Sequence, residues 1–268
     1  MFCVDRRAIA GDQPVTRVVS GAVLIAIAVA VVWFAPQIIF FAVAELLLAL
    51  AFIEYARLAE AGGVPIPMGP AGVATVIASA APLDVALMCG FVALGALALT
   101  TWRGDREALG RVAASVFPMV YLGLPIGAMV SLRALRGREA LFLLMLTVMV
   151  SDTAQYYSGR AFGKRLLAPA ISPKKTVAGA AGGFVCGALI MTIAGAWWLP
   201  NLAIAFRALL GVALVALGIA GDLFESMLKR SAGVKDSSTM IPGHGGVLDR
   251  IDALLFAAPV YYIVLKYA

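Results

Sequence analysis

The chain has 268 residues, of which 62% are hydrophobic and 13% charged, with a mean hydropathy of +0.97. That much apolar surface cannot be hidden in a water-soluble domain of this length, so the composition predicts an all-α, polytopic integral membrane helix bundle. The net charge of +6 is assigned to loops facing an anionic leaflet and not to nucleic acid. Cys3, Cys89 and Cys186 stand too far apart for a disulfide framework or a thiolate metal site.

The opening MFCVDRRAIAGDQPVTR has the charged look of a secretory leader. The apolar run from Val18 to Phe34 is followed at once by another from Ile38, so an uncleaved first span is expected. At about 20 apolar residues per crossing, nine spans are expected, near 17–35, 37–56, 69–82, 84–101, 112–131, 140–158, 177–197, 201–224 and 247–266. The third is short, rich in small residues and bounded by Pro70 and Pro82, so it is either a short span or a re-entrant segment.

With a cytoplasmic N-terminus, nine spans place most lysines and arginines inside. The loop carrying Arg133, Arg136 and Arg138 disagrees with the positive-inside rule. Glu54 is expected to snorkel near the membrane exit beside Arg57, and Glu45 carries no assigned role. Trp33, Trp197 and Trp198 fall near helix ends, as interfacial tryptophans do. The chain divides into N-terminal helices, 1–140, and a C-terminal region, 141–268, that carries the charged loops.

Charge gathers in two loops, about 159–176 and 225–246. The two intervening apolar helices return the chain to the same face, so both loops can build one site. In GDLFESMLKR, Asp222, Glu225 and Lys229 share one helical face; in GHGGVLDRID, Asp249 and Asp252 do the same. Carboxylates at the membrane ends of adjacent helices are costly without a cation. An oxygen-only set suits a hard ion such as Mg²⁺, and Asp222, Asp249 and Asp252 are its expected ligands. The alternative is ordinary pairing of Asp222 and Asp249 with Lys229 and Arg250.

PGHGG, at 242–246, opens a helix whose amides suit phosphate. In ISPKKT, Lys174 and Lys175 offer adjacent cations, while Ser172 and Thr176 offer hydroxyls to phosphate or cap the next helix. Asp152 is an intramembrane acid without a local partner and joins the same site. One histidine without a nearby cysteine cannot fill a zinc shell.

These residues carry a resemblance. SMLKRSAGVKDSSTMIPGHGGVLDRID resembles the signature of the phosphatidate cytidylyltransferases (CDP-diacylglycerol synthases), through Ser226, Lys229, Arg230, Lys235, Asp236, His244, Gly245, Gly246, Asp249, Arg250 and Asp252. SDTAQYYSGRAFGK and ISPKKT extend the likeness over about 150–268. One departure is Ala178, where the family usually has Glu or Gln.

The resemblance implies cytidylyl transfer from CTP to phosphatidate with Mg²⁺, at the cytoplasmic boundary of a bacterial inner membrane. Asp222, Asp249, Lys229, Arg230, Lys235, Asp236 and His244 are the expected catalytic set, with His244 either holding a phosphate oxygen or capping the helix. Ser172, Lys174, Lys175, Thr176, Asp152, Gly245, Gly246 and Arg250 are expected on the substrates. A second, monovalent ion and a homodimer are left open. A CTP-dependent lipid kinase is the alternative, followed by a secondary transporter, which should show inverted repeats.

Overall fold

A computed structural model describes residues 13–82, 108–238, 240 and 245–268, with isolated helical positions between 85 and 99. The expected span 84–101 lies largely outside the described residues, and His244 lies outside them entirely. The helices are α1 (Gln13–Phe34), α2 (Gln37–Ala61), α3 (Met68–Ala80), α4 (Ala108–Pro118), α5 (Leu124–Phe162), α6 (Val177–Trp198), α7 (Ile204–Ser231) and α8 (Leu248–Tyr267). A π-helical turn, Met119–Gly123, joins α4 to α5. Strands β1 (Leu166–Ala168) and β2 (Ser172–Thr176) pair antiparallel, so the SPKKT segment, read as a loop, is one arm of a hairpin.

Among the described residues, four helical runs are long and apolar enough to cross a membrane: Gln37–Ala61, Ala108–Phe162, Val177–Trp198 and Ile204–Ser231. The 55-residue run is interrupted at Gly137, whose φ of 85° and ψ of 174° leave the helix. Glycine takes that left-handed φ without a Cβ penalty. The break falls in the expected gap between the spans at 112–131 and 140–158.

The same break explains the arginines that disagreed with the charge rule. Arg133 donates to the carbonyls of Val32 and Ala35 and, at 2.8 Å, to Gln37 Oε1. Arg138 donates to Trp33 O at 2.9 Å and lies over the Trp33 ring. Arg136 donates to Leu265 O at 2.8 Å through Nε. The three cations therefore satisfy carbonyls at the C-terminal ends of α1 and α8, where the helix dipole is negative. Trp33, Phe142 and Trp198 pack edge to face beside them, marking one end of the bundle.

The α3 helix, of 13 residues, is about 20 Å long, short of a hydrocarbon core about 30 Å thick. It packs closely on the π-helical turn and α5: a Cβ on Gly123 or Gly127 would meet Thr75 O at 2.6 Å or Ser79 O at 2.5 Å. Ser79 also donates to Glu45 Oε1 at 2.6 Å, which gives that intramembrane acid a partner.

The core helices α5 to α8 approach through small residues, as lipid-embedded helices do where burial of apolar surface offers no drive. A Cβ at Gly183 would sit 2.6 Å from Gln155 Cγ, and one at Gly187 2.3 Å from Val215 Cγ2. At the α7–α8 crossing, a Cβ on Gly221 would lie 2.4 Å from Asp252 O. That contact sets Asp222 next to the first turns of α8. The end of α5, the hairpin, the end of α7 and the start of α8 thus meet at the bundle end opposite the tryptophans.

Candidate active site

Lys175, on β2, is carried to the end of α7 by the hairpin, and its Nζ lies 2.5 Å from Asp222 Oδ2. The first charged loop therefore meets the helix that leads into the second. Ser226, one turn on from Asp222, lies 3.4 Å from its Oδ1. Asp152, on α5, and Asp252, on α8, both lie within electrostatic range of Asp222. Gln155 holds Asp152 Oδ1 at 3.0 Å, while Asp252 Oδ1 takes the amide of Ala253 at 2.8 Å.

A second charged cluster sits deeper. Lys229 Nζ bridges Glu225 and Asp249, with Glu225 wholly buried and Lys229 9% exposed. The helical spacing of four residues brings Glu225 onto Lys229, as expected from the sequence. Asp249 Oδ2 also accepts the amides of Ser237 at 3.1 Å and Gly246 at 2.8 Å, and the Ser237 hydroxyl at 2.8 Å. Asp249, on α8, is thus the hub joining Lys229 of α7, Ser237 and Gly246. Of the ordinary alternative, pairing of Asp222 and Asp249 with Lys229 and Arg250, the structure has Lys229 on Asp249. Asp222 pairs with Lys175 instead, and Arg250 is exposed.

Glu54, on α2, enters this hub from the N-terminal half. It is 0% exposed and does not snorkel: its carboxylate accepts the amides of Val247 at 3.0 Å and Leu248 at 2.8 Å. It also takes the hydroxyls of Ser237 at 3.0 Å and Ser238 at 2.6 Å. An acid 183 to 194 positions away in sequence therefore caps α8. The amides of Gly246, Val247 and Leu248, read as a phosphate cradle, are donated to Asp249 and Glu54. Gly245 and Gly246 also have a steric reason. Gly245 has φ +79°, and a Cβ on Gly246 would fall 2.0 Å from Ser237 Oγ and 2.4 Å from Glu54 Oε2.

Arg230, Lys235, Asp236 and Lys174 are exposed, with Arg230 donating to Val234 O at 3.2 Å. Thr176 caps α6, its hydroxyl oxygen accepting Gly179 N at 3.1 Å. Ser172 is half-buried at the start of β2.

Among the described residues, no three acids, histidines or cysteines converge tightly enough to hold a metal unaided. The donor set nevertheless fits a hard divalent cation. Three carboxylates, Asp152, Asp222 and Asp252, share one electrostatic neighbourhood, and of these Asp222 has the Lys175 ion pair. Mg²⁺ commonly takes one or two carboxylates and completes its shell with water and substrate phosphate.

Several known proteins are similar to this chain, all named phosphatidate cytidylyltransferase. That of Haemophilus influenzae is 48% identical over 131 residues, covering 46% of this chain and 45% of the relative. That of Aquifex aeolicus is 41% identical over 125 residues, covering 47% and 46%. That of Thermotoga maritima is 36% identical over 191 residues, covering 69% of both. The matched part of the chain thus spans about half the length of the first two relatives and two thirds of the third. Residues 15–268 match the Cytidylyltransferase family as a whole, so the α2 helix that supplies Glu54 falls within the match as well as the acid-bearing C-terminal helices. The chain belongs to the Cytidylyltransferase family.

Proposed function

We propose that the chain transfers the cytidylyl group of CTP to phosphatidate, giving CDP-diacylglycerol and pyrophosphate. The observation that carries this reading is the Lys175–Asp222 ion pair at one end of a lipid-embedded bundle, with Asp152 and Asp252 in electrostatic range of Asp222 and the exposed cations Lys174, Arg230, Lys235 and Arg250 on or next to the same elements. The names of the similar proteins point the same way.

In the reaction, an oxygen of the phosphatidate phosphate forms a bond to the α-phosphorus of CTP. The bond from that phosphorus to the β-phosphate oxygen breaks, and pyrophosphate leaves with the electron pair. Two polyanions must approach, so the exposed cations at the rim serve to hold their phosphates and offset repulsion. A phosphate monoester has a second pKa of about 6, so its attacking oxygen is mostly ionised near neutral pH and needs no strong base. Asp222 and Asp252, with Asp152 beside them, are the residues that would hold Mg²⁺, while Asp249, engaged by Lys229, Ser237 and Gly246, would act on them from one turn away on α8. When bound, the ion would supply charge stabilisation at the reacting phosphate. Lys229 keeps Asp249 oriented, and Lys175 does the same for Asp222.

A membrane-end site suits the two substrates, since phosphatidate arrives laterally from lipid and CTP from water. The reading includes nine crossings, a cytoplasmic N-terminus and a site facing the cytoplasm at the inner membrane of a bacterium. The carbonyl contacts of Arg133, Arg136 and Arg138 remove the objection that their loop raised to that count, because they give it a reason to be basic on either side.

The test uses purified protein in detergent micelles with dioleoyl phosphatidate and α-labelled CTP. Label in the lipid, dependence on divalent metal and near-total loss in Asp249→Asn are expected. Label remaining wholly in water-soluble CDP would overturn the reading in favour of a lipid kinase.

A further inference from the structure

We infer that Glu54 is a positioning residue of the active site, acting through Ser237 and Gly246 on Asp249. The inference deepens the cytidylyl-transfer reading and rests on it for its kinetic arm only. Glu54 is wholly buried, and its carboxylate is met by the neutral donors Val247 N, Leu248 N, Ser237 Oγ and Ser238 Oγ. An anion at this point complements the positive end of α8 and satisfies amides that the helix cannot satisfy itself.

Ser237 links this anchor to the reacting centre. Its hydroxyl lies 3.0 Å from Glu54 Oε2 and 2.8 Å from Asp249 Oδ2, and its amide donates to the same Asp249 oxygen at 3.1 Å. A hydroxyl has one proton to donate, so it serves one carboxylate at a time, and Glu54 fixes where the serine stands in either case. Gly246 completes the device, since any Cβ there would fall on Ser237 Oγ and Glu54 Oε2. Loss of the anchor should therefore loosen Ser237 and Gly246, turn Asp249 and weaken whatever Asp249 helps to hold.

Glu54→Gln conserves shape but presents an amide nitrogen to backbone donors that cannot reverse. In the full-length protein in micelles, hydrogen exchange at Val247 and Leu248 should accelerate at least tenfold. The half-saturating Mg²⁺ concentration for cytidylyl transfer should rise about fivefold, a shift that a partly unfolded population would not produce. Gly246→Ala should move both readouts the same way. The double variant should be no worse than the more impaired single by more than about twofold, the non-additivity expected of residues acting through one contact.

Ser238→Ala removes one donor without adding bulk and should give a smaller shift of the same sign, which keeps the test open should Glu54→Gln fail to fold. Wild-type exchange and wild-type Mg²⁺ dependence in Glu54→Gln would overturn the inference, as would strict additivity with Gly246→Ala. A wild-type protein with no Mg²⁺ dependence would instead sink the metal reading, and the exchange measurement would still judge Glu54.

Discussion

Lys175 and Asp222, separated in sequence by α6 and most of α7, meet with Nζ and Oδ2 2.5 Å apart. The contact joins the hairpin to α7 and sets a cation beside the acids expected to handle phosphate and metal. The side chains are 18% and 37% exposed, so the pair should add little stability, about 1 kcal/mol or less. Lys175→Ala is therefore expected to lower kcat/KM by about a hundredfold or more while the thermal midpoint in detergent moves by about 2 °C or less. A fall in midpoint that accounts for the lost activity would make the contact structural.

Lys229 presents the opposite balance. It is enclosed with Glu225 and Asp249, and removing one member of a buried ionic cluster leaves uncompensated charge, typically at a cost of about 3–5 kcal/mol. Lys229→Met should be strongly destabilised, as read by chemical or thermal unfolding. Adding Glu225→Gln removes one of the two stranded charges and should recover a large part of that stability with no return of cytidylyl transfer. Recovery of activity in the double variant would show that Lys229 is needed for folding only.

The course of the chain between the two ends can be tested without the reaction. From Ala134 to Lys235 the chain passes through the second part of α5, then α6 and α7, three transits of the bundle. A single cysteine at Ala134, in a background without Cys3, Cys89 and Cys186, should react with a membrane-impermeant maleimide from the outside of intact spheroplasts. One at Lys235 should react only in inverted vesicles. Labelling of both from one side would overturn the proposed crossings.

Much of this arrangement was legible in the sequence because the bilayer imposes a length and a composition on each helix. The α6 and α8 boundaries, Val177–Trp198 and Leu248–Tyr267, fall within a residue of expectation at nearly every end, and the Gly137 break lies where a loop was expected. Helical periodicity also gave the Glu225–Lys229 pair. What the sequence hid were contacts across long separations. Glu54 reads as an acid near a membrane exit with Arg57 close by, and nothing local says that it caps a helix nearly two hundred positions later. The signals available were an acid inside an apolar helix and, far downstream, a serine pair and a glycine pair ahead of a helix with no capping side chain of its own. Arg133, Arg136 and Arg138 misled for a related reason, since a topology rule counts charges and cannot see carbonyls that consume them.

Packing between α5 and α6 gives the last expectation. A Cβ on Gly183 would stand 2.6 Å from Gln155 Cγ and 3.0 Å from Ser151 Oγ, and Gln155 is the residue that holds Asp152. Gly183→Val must push the two helices apart or displace Gln155, and overpacking of this kind commonly costs about 1–3 kcal/mol. Because the displaced side chain is bonded to an acid of the site, activity should fall further than the lost stability explains, by about tenfold at a temperature where the variant remains folded. Gly110→Ala is the matched control: no atom lies within 4 Å of its Cβ position, and helix propensity favours alanine over glycine by about 1 kcal/mol. Its activity should be unchanged and its thermal midpoint equal to or above that of the wild type. If Gly183→Val kept wild-type turnover, the separation of α5 from α6 would not govern the position of Asp152.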